Sequence, residues 1–382
     1  MNWELEIKTY VQDQNAASLL MDLCQIPAPL GGEGRRAIFC LNWLHQNGVP
    51  QAALDEVGNV VCLFPGKTRD MTVFLAHLDV VFLDETSLPM FLEGERIYCP
   101  GVGDNTANLV NLLLCAAFLA RKRPVLNHDL LLVCNVGEEG LGNLRGTRAI
   151  FDAYGDRIRR CYSFDSFDLH RMATTAVGSH RYHLKTTAPG GHSWFDFGGR
   201  NAIADLAALI ATLDAQPLPQ QARTSYNFGV VTGGTSVNTI AQEASVQYEY
   251  RSAADCCLMQ MQTQLAQIVK RLQDEGLSIQ VEDIGKRPAA NGLDEAAQAD
   301  LVSQTAAIIR RVTGREVDCY ESSTDCNIPL SLGIPAVTVG TVRAAGMHTR
   351  QEWVDLTSLP KGLELALQLI AAESEWKRPC LS

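Results

Sequence analysis

Two histidines and three carboxylates stand where buried strands of this chain should end. They are His77 in FLAHLDVV, Asp104 in GVGDNT, Glu139 in VCNVGEEG, Asp165 in YSFDSFD and His348 in AGMHTRQEW. A nitrogen and oxygen donor set of this kind suits a pair of Zn2+ ions, with Co2+ or Mn2+ as alternatives. Glu138 lies beside the set, and a carboxylate next to two metals is what metal-assisted hydrolysis requires. The constellation reads as an enzyme.

Each residue also has a plainer reading. His77 and Asp79 are two apart, so on an extended segment their side chains face the same way. A ligating histidine needs a carboxylate or carbonyl to fix its ring, and Asp79 is placed to do so; alone, such a histidine is also read as a satisfied strand end. Asp104 follows Gly101-Val102-Gly103 and opens a helix, a position aspartate fills as an ordinary N-cap. The glycines favour a ligand, because they let the backbone turn tightly beneath a carboxylate shared by two cations.

Paired glutamates are usually a solvated step, but Glu138-Glu139 follows the apolar run LLLVCNV. Ligand sites in open α/β sheets lie beyond the carboxyl ends of strands. Side chains diverge there, so Glu139 is expected as ligand and Glu138 as general base. Asp165 repeats the arrangement, with Asp168 as its alternative. His348 closes the site from far along the chain. For His45, His128, His170, His180 and His183 a surface or structural role is the default.

The elements that must position these residues follow from pattern. At 382 residues the chain exceeds the size of one ordinary core, so two domains are expected. TYVQDQNAASLLMDLCQIP reads as one amphipathic helix stopping at Pro27, and GGEGRRAIFCLNWLHQNGV as a second closed by Gly48. Strands follow at 59–64 and 71–77, then a long apolar helix after GVGDNTAN, the strand HDLLLVCNV, a helix over 144–154 and the strand RCYSFDSFD. This alternation implies a mostly parallel sheet with helices on both faces.

From Val177 the pattern becomes one-sided. HRYHLKTTA, SYNFGVVTGG, ASVQYEYRS and LSIQVEDI read as strands, with helices over NAIADLAALIATLDA and CCLMQMQTQLAQIVKRLQDEG. Their order is that of a split ferredoxin-like α+β unit. The α/β pattern resumes with a helix over 295–313, the strand IPAVTVG and a helix over 356–372. The expected organisation is a catalytic domain over 1–176 and 285–382, interrupted by an inserted domain over 177–284.

Bulk composition narrows the partners. Hydrophobic residues make up 46% and charged residues 20%, ordinary for a soluble globular chain. A formal net charge of -11 argues against nucleic acid or an anionic membrane. Twelve cysteines without a CxxC pair read as reduced core residues. MNWELEIKTY has no signal pattern, and LVNLLLCAAFLA is about half the length a bilayer span needs. A cytoplasmic location is the default expectation.

With HLD, GVGDN, GEEG, SFD, PGGHSW, GGTSVNTIA, SSTDCNIPLSLGIPAV and HTRQEW in this order along nearly the whole chain, the sequence resembles a known family. It is that of the co-catalytic di-zinc hydrolases, which includes peptidase T, acetylornithine deacetylase, succinyl-diaminopimelate desuccinylase and glutamate carboxypeptidase. The resemblance implies that His77, Asp104 and Asp165 hold one zinc, and Asp104, Glu139 and His348 the other, with Asp104 as bridge. It implies a cis peptide between Asp104 and Asn105, and an inserted domain that serves as lid and homodimer interface. It further implies that His192 stabilises an oxyanion in the partner's site, and that Asn238 and Arg251 bind the substrate's polar end or carboxylate. Two departures leave substrate shape open: Met347 stands where a smaller residue is usual, and YEYRS replaces the commoner aspartate-x-arginine.

Three functional readings follow. The first is an exopeptidase releasing a terminal residue from a short peptide, favoured by PGGHSW and STDCNIPLSLGIP. The second is a deacylase acting on an N-acyl amino acid. The third is a non-catalytic binding protein, against which the intact ligand set and Glu138 speak.

Overall fold

Buried apolar runs decide the main sheet. In the computed structural model, which describes residues 3–374, the last seven residues of the strand Thr68–His77 are all buried. So are the last seven of His128–Asn135. Since neighbouring side chains on a strand point to opposite faces, continuous burial means that both faces of the sheet are covered. These strands are the centre of an eight-stranded mixed sheet. Its order is Ala53–Leu54, Val60–Phe64, His128–Asn135, Thr68–His77, Ile158–Phe164, Ala336–Val339, Arg171–Ala176 and Asp318–Ser322. The four strands from His128–Asn135 to Ala336–Val339 run parallel. His77, Glu138-Glu139 and Asp165 therefore all lie at one edge, beyond the carboxyl ends of parallel neighbours.

The chain divides into two compact units, Met1–Ala176 with Asn291–Ser382, and Val177–Ala290. The second unit ends beyond the expected boundary at 284 because its last strand, Ser278–Arg287, runs on past Ile284. Each unit has its own hydrophobic core. The second unit is an antiparallel four-stranded sheet in the order Thr224–Gly233, Glu243–Ser252, Gly178–Thr187, Ser278–Arg287. Its helices Ala202–Asp214 and Asp255–Asp274 both pack on the sheet. That is the split order expected.

Several local readings need correction. The first helix is two, Trp3–Asp13 and Ala16–Cys24, because Asn15 caps the second by accepting the Ser18 N–H at 3.1 Å. Asp104 does not open a helix. It lies in an irregular turn, Val102–Thr106, with φ −115° and ψ 89°, and the regular helix starts at Ala107. With that turn the apolar segment Val102–Lys122 is 21 residues long, enough in length and composition to cross a membrane, but 94% of its apolar window is buried in the first unit. The strands Arg171–Ala176 and Asp318–Ser322 were not anticipated.

Nor was a small four-stranded sheet in the order Ala344–Ala345, Trp353–Asp355, Arg96–Tyr98, Phe91–Glu93. This sheet positions the site. It pairs the segment leading to Asp104 with the segment following His348, in the register Trp353 to Tyr98 and Val354 to Ile97.

Candidate metal centre

The Asp104 carboxylate stands between the two histidines. Its Oδ1 lies 3.1 Å from His77 Nε2 and its Oδ2 lies 3.1 Å from His348 Nε2. Asp165 Oδ1 is 3.7 Å from His77 Nε2, and Glu139 Oε1 is 3.4 Å from His348 Nε2. Residues spread from 77 to 348 thus converge in two sets that share Asp104. The peptide between Asp104 and Asn105 is cis. Two groups whose donor atoms all lie within 4.8 Å of one another are His77, Asp104 and Glu139, and His77, Glu138 and Asp165. Glu138 therefore lies within reach of the same centre as the ligands.

The contacts behind the candidate ligands are more specific than the sequence suggested. His77 Nδ1–H donates to the backbone carbonyl of Asp79 at 3.0 Å, whereas the Asp79 carboxylate is 3.6 Å away. A carbonyl can only accept, so Nδ1 carries the proton and Nε2 is left for a metal. The fully buried Asp79 carboxylate instead accepts the backbone N–H groups of Glu138 at 3.1 Å and Glu139 at 2.7 Å. Asp79 thus ties the His77 strand end to the paired glutamates. Asp168 is not a ligand here; it pairs with His170 at 2.6 Å.

Two buried carboxylates beside the candidate ligands escaped the sequence reading. Glu352, wholly buried, accepts the N–H groups of Gly101, Gly103 and Asp104. Asp325, also wholly buried, accepts from Asn135 Nδ2 and Thr147 Oγ1 behind the glutamates. The tripeptide glutamine-glutamate-tryptophan after His348 gave no local sign of the first. A buried aspartate in the STDCN run was the only hint of the second.

The electrostatics are those of an acid-rich site. Burial opposes a charge on His77, but Asp104, Asp165 and Asp79 outweigh it and raise its pKa well above the ordinary range. Asp104 and Glu139 push His348 up to about 11. Burial would raise Asp104, yet His348 and His77 hold it below the usual carboxylate range. Burial and then the Asp104 charge lift Glu139 to about 7. Burial also lifts Asp165, with Asp104 and Glu138 adding to it. Glu139 Oε1 is buried and makes no well-formed hydrogen bond, its neighbour being His348 Nε2 at 3.4 Å. A buried carboxylate oxygen placed so, among other acids, favours a cation beside it. The residues present fit two divalent ions held by nitrogen and oxygen donors.

His192, Asn238 and Arg251 all lie in the second unit. His192 and Asn238 are neighbours: the strand Gly191–His192 pairs with Thr239–Ile240, and Ser193 N–H donates to the Asn238 carbonyl at 3.0 Å. Trp194 N–H donates to His192 Nδ1 at 3.2 Å, so Nδ1 is the acceptor and Nε2 carries the N–H. Arg251 sits at the other end of the sheet, opposite Ser179. It is bonded to the Glu249 carboxylate at 3.0 and 3.2 Å. Glutamate two residues earlier faces the same side of the strand, so YEYR keeps the acid-x-arginine pairing in another form.

Fold and candidate metal centre fit a metal-dependent hydrolase, and comparison with known proteins places the chain. The profile of peptidase family M20/M25/M40 matches residues 73–372, and the chain belongs to this family of metal-dependent amide hydrolases. A Mycobacterium tuberculosis protein provisionally named succinyl-diaminopimelate desuccinylase DapE is 28% identical over 330 residues, 81% of this chain and 84% of that one. A tripeptidase from Staphylococcus aureus superposes with a TM-score of 0.76 at 20% identity, covering 95% of this chain and 98% of the other. Bacillus subtilis YXEP, described as a dinuclear metal-binding peptidase of the M20 family, superposes with a TM-score of 0.67 at 14% identity, covering 96% and 99%.

Proposed function

We propose that this chain is a di-zinc exopeptidase that releases a terminal residue from short peptides. The observation that carries the reading is Asp104, whose two oxygens face two different histidines at 3.1 Å each. His77, Asp104 and Asp165 would hold one ion, and Asp104, Glu139 and His348 the other. Bound there, two zinc ions would supply activation of water and polarisation of the scissile carbonyl.

The remaining steps belong to side chains. Glu138 takes the proton from the attacking water and returns it to the leaving amine. Asp79 holds the glutamate pair and the His77 ring in register. His192 Nε2–H, supplied by a partner chain, donates to the developing oxyanion. Arg251 would engage the polar end of the substrate from its own chain, with Asn238, beside His192 at the other end of the sheet, doing so from the partner chain, and closure of the second unit as a lid would exclude water.

Homodimerisation through the second unit is part of the proposal. Trp194, Phe195 and Phe197 there are 80, 82 and 90% exposed, and the edge strand Thr224–Gly233 presents Val230 and Val231 outward. A cytoplasmic location is supported by the cysteines, which among the described residues are all free thiols; Cys380 lies outside those residues.

A second reading, deacylation of an N-acyl amino acid, is favoured by the 28% identity to the DapE protein. The test is the zinc-loaded protein assayed against di- and tripeptides beside N-acetyl and N-succinyl amino acids. The proposal expects the highest kcat/KM on a peptide. Cleavage of acylated amino acids alone would replace it with the second reading, and metal binding without turnover would leave a binding protein.

A further inference from the structure

We infer that Glu352 is a positioning residue that sets the spacing of the bimetal site by clamping the Asp104 turn to the His348 segment. The inference rests on the reading of Asp104 and His348 as ligands. Its geometry stands independently. Glu352 Oε2 accepts the Gly101 N–H at 2.8 Å, and Oε1 accepts the N–H groups of Gly103 at 2.7 Å and Asp104 at 2.8 Å. Its backbone carbonyl accepts the Cys99 N–H at 3.1 Å. One residue thus binds the approach to Asp104 through side chain and main chain together.

Glu352 lies four residues after His348, and the connection between them is short and tied. Thr349 N–H and Oγ1–H both donate to the Gly346 carbonyl, and Glu352 N–H donates to the Thr349 carbonyl. His348 itself holds a left-handed backbone, φ 62°, unfavourable for a residue with a side chain. The neighbouring glycine fits the same arrangement. A Cβ on Gly103 would come within 2.6 Å of Ala344 Cβ and 3.2 Å of Glu352 Oε1, so the turn lies flat against its clamp.

Asp79 does the corresponding work at the other end of the site, joining His77 to Glu138-Glu139. Two buried carboxylates therefore brace the ligands in pairs. Movement of the Asp104 backbone would shift a carboxylate that both histidines face.

The acceptor must be a carboxylate. Three backbone donors converge on it, and a carboxylate offers only acceptors on both oxygens. Glu352→Gln keeps the volume but turns one oxygen into an NH2 group that faces a backbone N–H.

The test is the zinc affinity of metal-free Glu352→Gln, measured by competition with a chromophoric chelator, alongside the melting temperature of the metal-free protein. The inference expects affinity to fall about 10–100-fold, as for other residues that orient ligands, while the metal-free protein still melts cooperatively. A folded variant that binds zinc as tightly as wild type would overturn it. Should the variant not fold, amide exchange in metal-free wild type decides: protected Gly101, Gly103 and Asp104 amides support the clamp, and rapid exchange at all three overturns it. Wild type that binds no zinc would refute the metal reading instead, and the same amide exchange would still judge the clamp.

Discussion

Reloading the metal-free protein with zinc should expel protons in a number set by the site. A ligating imidazole must lose the proton on its metal-facing nitrogen. In the metal-free structure, His348 is held protonated up to about pH 11 by Asp104 and Glu139. His77 is raised well above its ordinary range, the three aspartates around it outweighing burial. At pH 8 the His348 ring carries that proton, so at least one proton leaves each chain on saturation with zinc, and the raised His77 adds to the total. Glu139, lifted to about 7 by burial and Asp104, is mostly ionised at pH 8. It becomes a further source as the pH falls through 7, and the raised Asp165 adds to the total. Titration calorimetry in buffers of differing ionisation enthalpy reads this number directly. The reasoning is refuted if fewer than one proton appears at pH 8, or if the number grows as pH rises. The same shifts set the stability of the metal-free fold. A histidine whose folded pKa is raised from 6.5 to about 11 stabilises fully below 6.5, and that stabilisation is lost as pH rises through 11. Metal-free melting temperature should therefore fall between neutral and alkaline pH.

Three substitutions probe the remaining roles. Glu138→Gln should lower kcat about 10²–10⁴-fold, roughly 3–5 kcal/mol of barrier, with both metals retained; loss of one ion would make Glu138 a ligand, as its proximity to His77 and Asp165 allows. Asp79→Asn places an amide NH2 against the Glu138 or Glu139 N–H, and zinc affinity and kcat should each fall about 10–100-fold. Val231→Asp, on the exposed edge strand, should convert the proposed dimer to monomers in sedimentation, with single-chain stability changed by less than about 0.5 kcal/mol. Wild type that is strictly monomeric at micromolar concentration would count against the dimer.

The candidate ligands His77, Glu139 and Asp165 were legible because each sits where a strongly patterned strand stops. Six buried residues running into His77, and the buried strand before Glu138-Glu139, fix both the sheet and which edge of it carries chemistry. What stayed hidden depends on long-range pairing. Arg96–Tyr98 and Trp353–Asp355 are three residues each and acquire their register only from one another. Glu352 looks like any polar residue until the Asp104 turn folds against it. Asp79 was expected to steady the histidine ring by carboxylate or carbonyl; its backbone carbonyl does this, and what the sequence did not show is that the carboxylate serves the glutamates. The helix break at Asn15 was within reach of the sequence, since an asparagine directly before the run AASLLMDLC is an N-cap signal. The amphipathic period carried through it and concealed the stop.

The most direct test of the whole account is the number of divalent ions bound per chain, by mass spectrometric metal analysis of dialysed protein. Wild type should hold two, and Asp104→Ala, which removes the carboxylate facing both histidines, should lose both or retain one weakly. A wild-type content of one or none, or an Asp104→Ala protein that still carries two, would contradict a shared-carboxylate centre.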